Sequence, residues 1–137
     1  MRVRWDSESR GMNMQQGGMT TPKSILVVED EAMIGMMMED FLDALGYRLH
    51  GVAGTLADAC DMARGDGIDA AVVDCNLLGE KAWPVAEILA ERGIPFAFAT
   101  GGSTDDVPTA FAGRPALAKP YTIGSVERVL ESLLKGG

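Results

Sequence analysis

Beginning at Ser24, short apolar runs alternate with longer segments whose apolar residues recur at helical spacing. A strand sandwiched between helices has no polar face to show, so this alternation is the pattern of βα units around a parallel sheet covered on both sides. Five units are legible, and they predict strands at Ile25 to Val28, Arg48 to Ala53, Ala70 to Val73, Pro95 to Ala99 and Pro115 to Ala118. Each has the length of an ordinary buried or edge strand. The second, RLHGVA, mixes polar and apolar residues and suits an edge.

The first helix is expected from about Glu31 to Leu45, where Ile34, Met38, Phe41, Leu42 and Leu45 share one face and Gly46 supplies the stop. Met33, Met36 and Met37 fall partly off that face; loose core packing is the plainer reading, and an adaptable partner surface is the other. Thr55 with Asp58 three residues later is a capping-box-like start for a second helix to about Arg64, ended by Gly65 and Gly67. A third helix is expected from about Ala82 to Arg92 and a last one from about Ile123 to Leu134. Between the fourth and fifth strands, Gly101, Gly102, Pro108 and Gly113 leave room only for a short, mobile helix.

At 137 residues, with 47% apolar and 23% charged side chains, the chain has the size and balance of one soluble domain with its own core. Residues 1–22 are polar and aperiodic, and are expected to be a flexible leader ahead of a domain at 23–137. The net formal charge is -8 although the first 23 residues are positive by two, so the remainder is more acidic than the whole. An acidic body without a basic helix or stripe repels phosphates and argues against nucleic acid as a partner. No apolar run approaches the roughly 20 residues of a membrane span, and the N-terminus has no apolar signal core, so no membrane partner and a cytoplasmic location are expected. Cys60 and Cys75 lack the spacing of a disulfide framework or zinc site and read as small buried hydrophobes.

In an open α/β sheet, ligands bind beyond the carboxyl ends of the strands, where strand order reverses. Glu29, Asp30 and Glu31 follow the first strand, Asp74 to Asn76 the third, Thr100 to Gly102 the fourth, and Lys119 with Pro120 the fifth. Taken singly, each has an ordinary structural reading: acids in a helix's first turn, a strand-ending turn residue, an N-cap-like hydroxyl, a surface charge. Taken together, they bring acids, a hydroxyl and an amine to successive strand ends, the set that phosphoryl transfer to a carboxylate needs. Unit charges 4 Å apart repel by about 4 kcal/mol at an effective dielectric near 20, so such a cluster calls for a cation. Mg²⁺ prefers oxygen ligands and retains waters, which matches Asp30 and Asp74 as direct ligands with Glu29 reaching through water. Asp74, ending the apolar strand AAVVD, is the expected nucleophile. Lys119 would pair with the phosphoryl oxygens, and Thr100 would offer its hydroxyl to the attached group, whose charge is about -1.5 to -2.

The segments VVEDE, VVDCN, FATG and KPY, in this order and at these separations, resemble the receiver domains of bacterial two-component response regulators over roughly residues 24–135. The resemblance implies a flavodoxin-like, doubly wound (βα)5 fold with a parallel sheet of strand order 2-1-3-4-5. It matches Glu29 and Asp30 to the family's acid pair, Asp74 to the phosphorylated aspartate, and Asn76 to the residue whose backbone carbonyl joins the metal shell. Thr100 matches the switch hydroxyl and Lys119 the motif lysine, with a cis bond to Pro120. By the same resemblance the chain is a phosphoacceptor and not an enzyme, and it uses Mg²⁺. A sensor histidine kinase is the implied partner, with a histidine phosphotransfer protein or a downstream protein as others. No output domain is legible, so signalling is expected through protein contact or by draining phosphate from another branch.

Receivers usually carry Tyr or Phe three residues before the motif lysine, where this chain has Ala116. PFAFATGG resembles the receiver subgroup named for a Phe-Ala-Thr-Gly-x-Tyr motif, although Ser103 stands at its final Tyr. Ordering of the loop from Gly101 to Thr109 is then the expected switch. Two other classes compete: a phosphorylation-independent binding module of the same fold, opposed by the complete acid, Thr and Lys positions, and a phosphohydrolase with an aspartyl-phosphate intermediate. The latter commonly has a second acid where this chain has Asn76. His50 lacks a metal-ligand partner, Trp5 and Trp83 read as packing or chance, and no G-x-x-x-x-G-K phosphate loop exists.

Overall fold

Strands β1 (Ser24–Val28), β2 (Arg48–Ala53), β3 (Ala70–Asp74), β4 (Phe96–Thr100) and β5 (Ala116–Ala118) form a five-stranded sheet. In the computed structural model, which describes residues 21–101 and 107–135, their order is 2-1-3-4-5. Every neighbouring pair is parallel. Helices α1 (Ala32–Leu45), α2 (Leu56–Ala63), α3 (Trp83–Glu91) and α4 (Ile123–Lys135) cover both faces, giving the expected flavodoxin-like fold.

Alternation along the strands divides the core in two. Ile25, Val27, Ala70, Val72, Ala97 and Ala99 meet Met38 and Leu42 of α1 and Val126, Leu130 and Leu133 of α4. Leu26, Val28, Ala71, Val73, Phe96 and Phe98 meet Ala59 and Ala63 of α2 and Val85, Ala86 and Leu89 of α3. Burial on both faces is why β1, β3 and β4 read as unbroken apolar runs; each fully buried Leu, Val or Phe is worth about 1.5–3 kcal/mol. The mixed strand β2 lies at the edge, and its register against β1 shifts so that His50 is an extra residue opposite the Ile25–Leu26 step.

Local signals place the helix ends. Gly46 closes α1 in the left-handed conformation at φ 86. Thr55 opens α2 by accepting from the Asp58 N–H at 3.1 Å. The end of α2 is held from a distance: Nη1 of Arg92, just past α3, donates to the carbonyls of Ala63 and Gly65 at 2.6 Å each. Arg92→Ala should cost about 1 kcal/mol, chiefly by removing the donor of the Ala63 carbonyl, since the exposed Gly65 carbonyl can turn to water; it is read as a lower urea midpoint at unchanged m-value. A wild-type midpoint would refute this tie.

Two sequence expectations need correction, and one element was unforeseen. Met37 packs against the α1–α4 core, but Met33 and Met36 are 83% and 65% exposed, so core packing fails for these two. They lie more than about 100° around the helix from the buried side made by Gly35, Met38 and Leu42. Between β4 and β5 the described residues hold one 3-10 turn, Thr109–Phe111, in place of a short α-helix; Pro108 before it is extended at ψ 149. Most of the proposed switch loop, with Ser103, lies outside the described residues, as does the leader up to residue 20. Finally, an unforeseen hairpin follows β3, pairing Asn76–Leu77 with Glu80–Lys81. Its turn residues Leu78 (φ 51) and Gly79 (φ 86) are both left-handed, as a type I′ turn demands. Among the described residues no helix is long and apolar enough to cross a membrane.

Candidate phosphoacceptor site

Parallel strands deliver their carboxyl ends to one edge of the sheet, so residues far apart in sequence converge there. Asp74 and Thr100 end β3 and β4, while Glu29 and Asp30 follow β1 and Lys119 follows β5. Glu29, Asp30 and Asp74 each offer a carboxylate oxygen within 4.8 Å of the others. Glu29 and Asp74 are 2% and 7% exposed, and Asp30 is half-buried. The Lys119 ammonium reaches two of the acids, with Nζ 2.8 Å from Asp74 Oδ2 and 3.3 Å from Glu29 Oε1. Its backbone N–H donates to the Thr100 carbonyl at 2.9 Å, fixing the lysine to the end of β4, and the following bond to Pro120 is cis as expected. Thr100 itself is buried.

Three further carboxylate oxygens take backbone N–H donors. Asn76 N–H donates to Asp74 Oδ1 at 3.2 Å, and Leu78 N–H donates to Asp30 Oδ2 at 2.9 Å. The hairpin after β3 thus turns two backbone amides onto two different acids, which gives a physical use to the strained left-handed Leu78. Glu31 N–H donates to Glu29 Oε2 at 3.1 Å. The Tyr121 hydroxyl lies 3.3 Å from Glu29 Oε1 as its donor. Sequence reasoning assigned Tyr121 no role; the available signal was KPY, which sets a hydroxyl-bearing ring two residues after the motif lysine.

Burial pushes the Glu29 carboxyl upward, helped by the Asp74 charge and opposed by the Glu31 N–H and Lys119. For Lys119, burial alone would lower the ammonium, but its bonds and charge pairing with Asp74 and Glu29 outweigh that and hold it above its ordinary value. Burial, then the charges of Glu29 and Asp74, keep the Tyr121 hydroxyl well above its usual range, so it remains a donor. Lys119 offsets one of three clustered negative charges. An all-oxygen donor set with a surplus of negative charge fits a hard divalent cation such as Mg²⁺.

At the Ala116 position β5 presents only a methyl group, opposite Phe98 of β4. Aromatic bulk there comes from other elements: Trp83 and Phe111 stand 5.5 and 5.8 Å from the Phe98 ring. A cleft of about 260 Å³ lies between Phe98, Phe111, Arg114 and Ala116. Cys75 is buried beside Asp74 and Cys60 is half-buried on α2.

No family model matches the sequence. Among solved structures, SdrG from Sphingomonas melonis Fr1 aligns at 50% identity over 85% of this chain and 99% of that one, with TM-score 0.75. A BeF3-activated conformation of SdrG aligns with TM-score 0.72. The receiver domain of the PhyR response regulator from Erythrobacter litoralis is 25% identical over 83% of this chain and 91% of that one, with TM-score 0.71. The transcriptional regulatory protein PdtaR of Mycobacterium tuberculosis is 28% identical over 114 residues, which are 80% of this chain. That alignment takes in 56% of PdtaR, so the chain spans about half the length of the curated relatives it matches. With half its aligned residues shared along nearly all of SdrG, and an acid cluster at the strand ends of a 2-1-3-4-5 sheet, this chain belongs to the receiver-domain family of two-component response regulators.

Proposed function

We propose that Asp74 accepts a phosphoryl group from a phosphohistidine of a sensor histidine kinase. Receiver domains are signalling modules, and the observation that carries this reading is the convergence of Glu29, Asp30 and Asp74 within 4.8 Å, with Lys119 bonded to two of them. In the transfer an Asp74 carboxylate oxygen forms the new bond to phosphorus, the P–N bond breaks, and the imidazole leaves with that electron pair. Asp30, Asp74 and the Asn76 carbonyl would hold Mg²⁺, with Glu29 acting through water. When bound, Mg²⁺ supplies positive charge against the incoming phosphoryl oxygens.

The protein's own groups do the rest. Lys119 pairs with a phosphoryl oxygen, and the Thr100 hydroxyl bonds to the attached group. Output runs through contact with another protein, a histidine phosphotransfer protein among the candidates, or through withdrawal of phosphate from a parallel branch. Such a pathway is cytoplasmic. The 50% identical SdrG has a BeF3-activated conformation, which supports testing this chain with the same probe. Mg²⁺ with beryllofluoride should shift the backbone amide resonances of Asp74 to Leu78, Thr100 and Lys119 in a saturable manner. A spectrum unchanged at millimolar Mg²⁺ and excess beryllofluoride would leave the chain a phosphorylation-independent module.

A further inference from the structure

We propose that Tyr121 is a positioning residue that releases Lys119: its hydroxyl keeps a donor on Glu29 Oε1 when the lysine turns to a phosphoryl group on Asp74. This rests on the phosphoacceptor reading above. The Glu29 side chain is 1% exposed, so bulk water has little access to replace a lost protein donor on Oε1. Its Oε2 is held by the Glu31 N–H. Its Oε1 faces two donors at once, Lys119 Nζ and Tyr121 Oη, each 3.3 Å away.

That distance is long for a hydrogen bond to a carboxylate, where O–H···O contacts settle nearer about 2.7 Å. The lysine's shorter contact, 2.8 Å, goes to Asp74 instead. Oε1 is therefore shared between two partly engaged donors. Once Asp74 carries a phosphoryl group, its charge of about -1.5 to -2 attracts the ammonium. A shift of roughly half an ångström, shared by the ring and the carboxylate, then closes the hydroxyl on Oε1. Tyr121 is suited to this because the residue is 6% exposed and belongs to the core between the sheet and helices α1 and α4. Burial and the neighbouring negative charges also keep the hydroxyl protonated.

The consequence is selective. Without the hydroxyl, the resting state still has Lys119 on Oε1, whereas the phosphoryl state leaves that buried oxygen without a protein donor. Tyr121→Phe should leave affinity for Mg²⁺ alone within about 2-fold and weaken beryllofluoride affinity at saturating Mg²⁺ about 10-fold, or 1.4 kcal/mol. In a Glu29→Gln background, whose neutral amide has less need of a charge-supporting donor, the same change should cost less than about 2-fold. Calorimetric titration of the four proteins reads these values. An equal loss in both backgrounds would mean that Tyr121 acts through packing, and no loss in the native background would mean that the hydroxyl is idle; either overturns the proposal. Failure of the native chain to bind beryllofluoride would instead bring down the phosphoacceptor reading, and this inference with it.

Discussion

Asp74→Asn should abolish labelling by acetyl phosphate while leaving a folded protein whose melting temperature is no lower than that of the parent. The chemical half follows from nucleophilicity: an amide oxygen does not form the acyl phosphate that a carboxylate oxygen forms as acetate leaves. The stability half follows from charge. Three carboxylates lie within 4.8 Å of one another, and each pair of unit charges at such distances repels by about 3–4 kcal/mol at an effective dielectric near 20. Lys119 offsets part of this through Asp74 Oδ2 and Glu29 Oε1. Neutralising Asp74 removes two repulsions and one attraction, and the Asn side-chain oxygen still accepts from the Asn76 N–H or the ammonium. Phosphate incorporation measured by intact mass, with thermal melting in chelator, checks both halves. Labelling of the variant at parental stoichiometry would move the acceptor to another acid; a marked fall in melting temperature would mean that the Asp74–Lys119 pair outweighs the repulsion.

How much of this architecture was legible beforehand depends on whether side chains or backbone carried the information. β2 has the bounds its composition implied; β1, β3 and β4 each gain a residue because Ser24, Asp74 and Thr100 pair in the sheet despite being polar, while β4 and β5 each begin one residue later than expected, after Pro95 and Pro115, which have no N–H to give the ladder. Helix ends were legible where a residue has a mechanical reason to be there, as with Gly46 and Thr55. The gathering of Glu29, Asp30, Asp74, Thr100 and Lys119 at one edge was legible because parallel strands bring equivalent ends together. The donors around those acids were not. Asn76 and Leu78 act through backbone N–H groups, which every non-proline residue possesses, so no side chain announces them. The hairpin that aims these amides has strands of two residues, too short for any period, and Leu78 is not a residue that its left-handed position favours. Tyr121 escaped for a different reason: its ring is a core residue, and only the path of the chain after Lys119 puts its hydroxyl on Glu29.

Lys119→Met should separate the two duties of the ammonium, because methionine keeps the unbranched stem and removes the charge. In the resting state, Asp74 and Glu29 lose their shared cation, and both side chains are under 10% exposed. Breaking a buried pair by removing one partner costs about 3–5 kcal/mol, and the 20% exposure of the lysine puts the expected loss at the lower end or just below it, about 2–3 kcal/mol. The native contribution is fully present at neutral pH: the lysine is held above its ordinary 10.5, so its stabilising effect is intact below that value and is lost only as the pH rises through the higher folded one. Urea unfolding in chelator should show the loss. Added Mg²⁺ should restore part of it, since the more negative cluster has a larger gain from a divalent ion than the parent cluster has. Labelling by acetyl phosphate should still fall about 100-fold at saturating Mg²⁺, the scale expected when a charge-stabilising donor is removed from the developing phosphoryl charge. Restored stability with persistently slow labelling would assign the ammonium a duty that the metal does not share, whereas parental labelling at saturating Mg²⁺ would reduce Lys119 to a counter-ion for the resting acids.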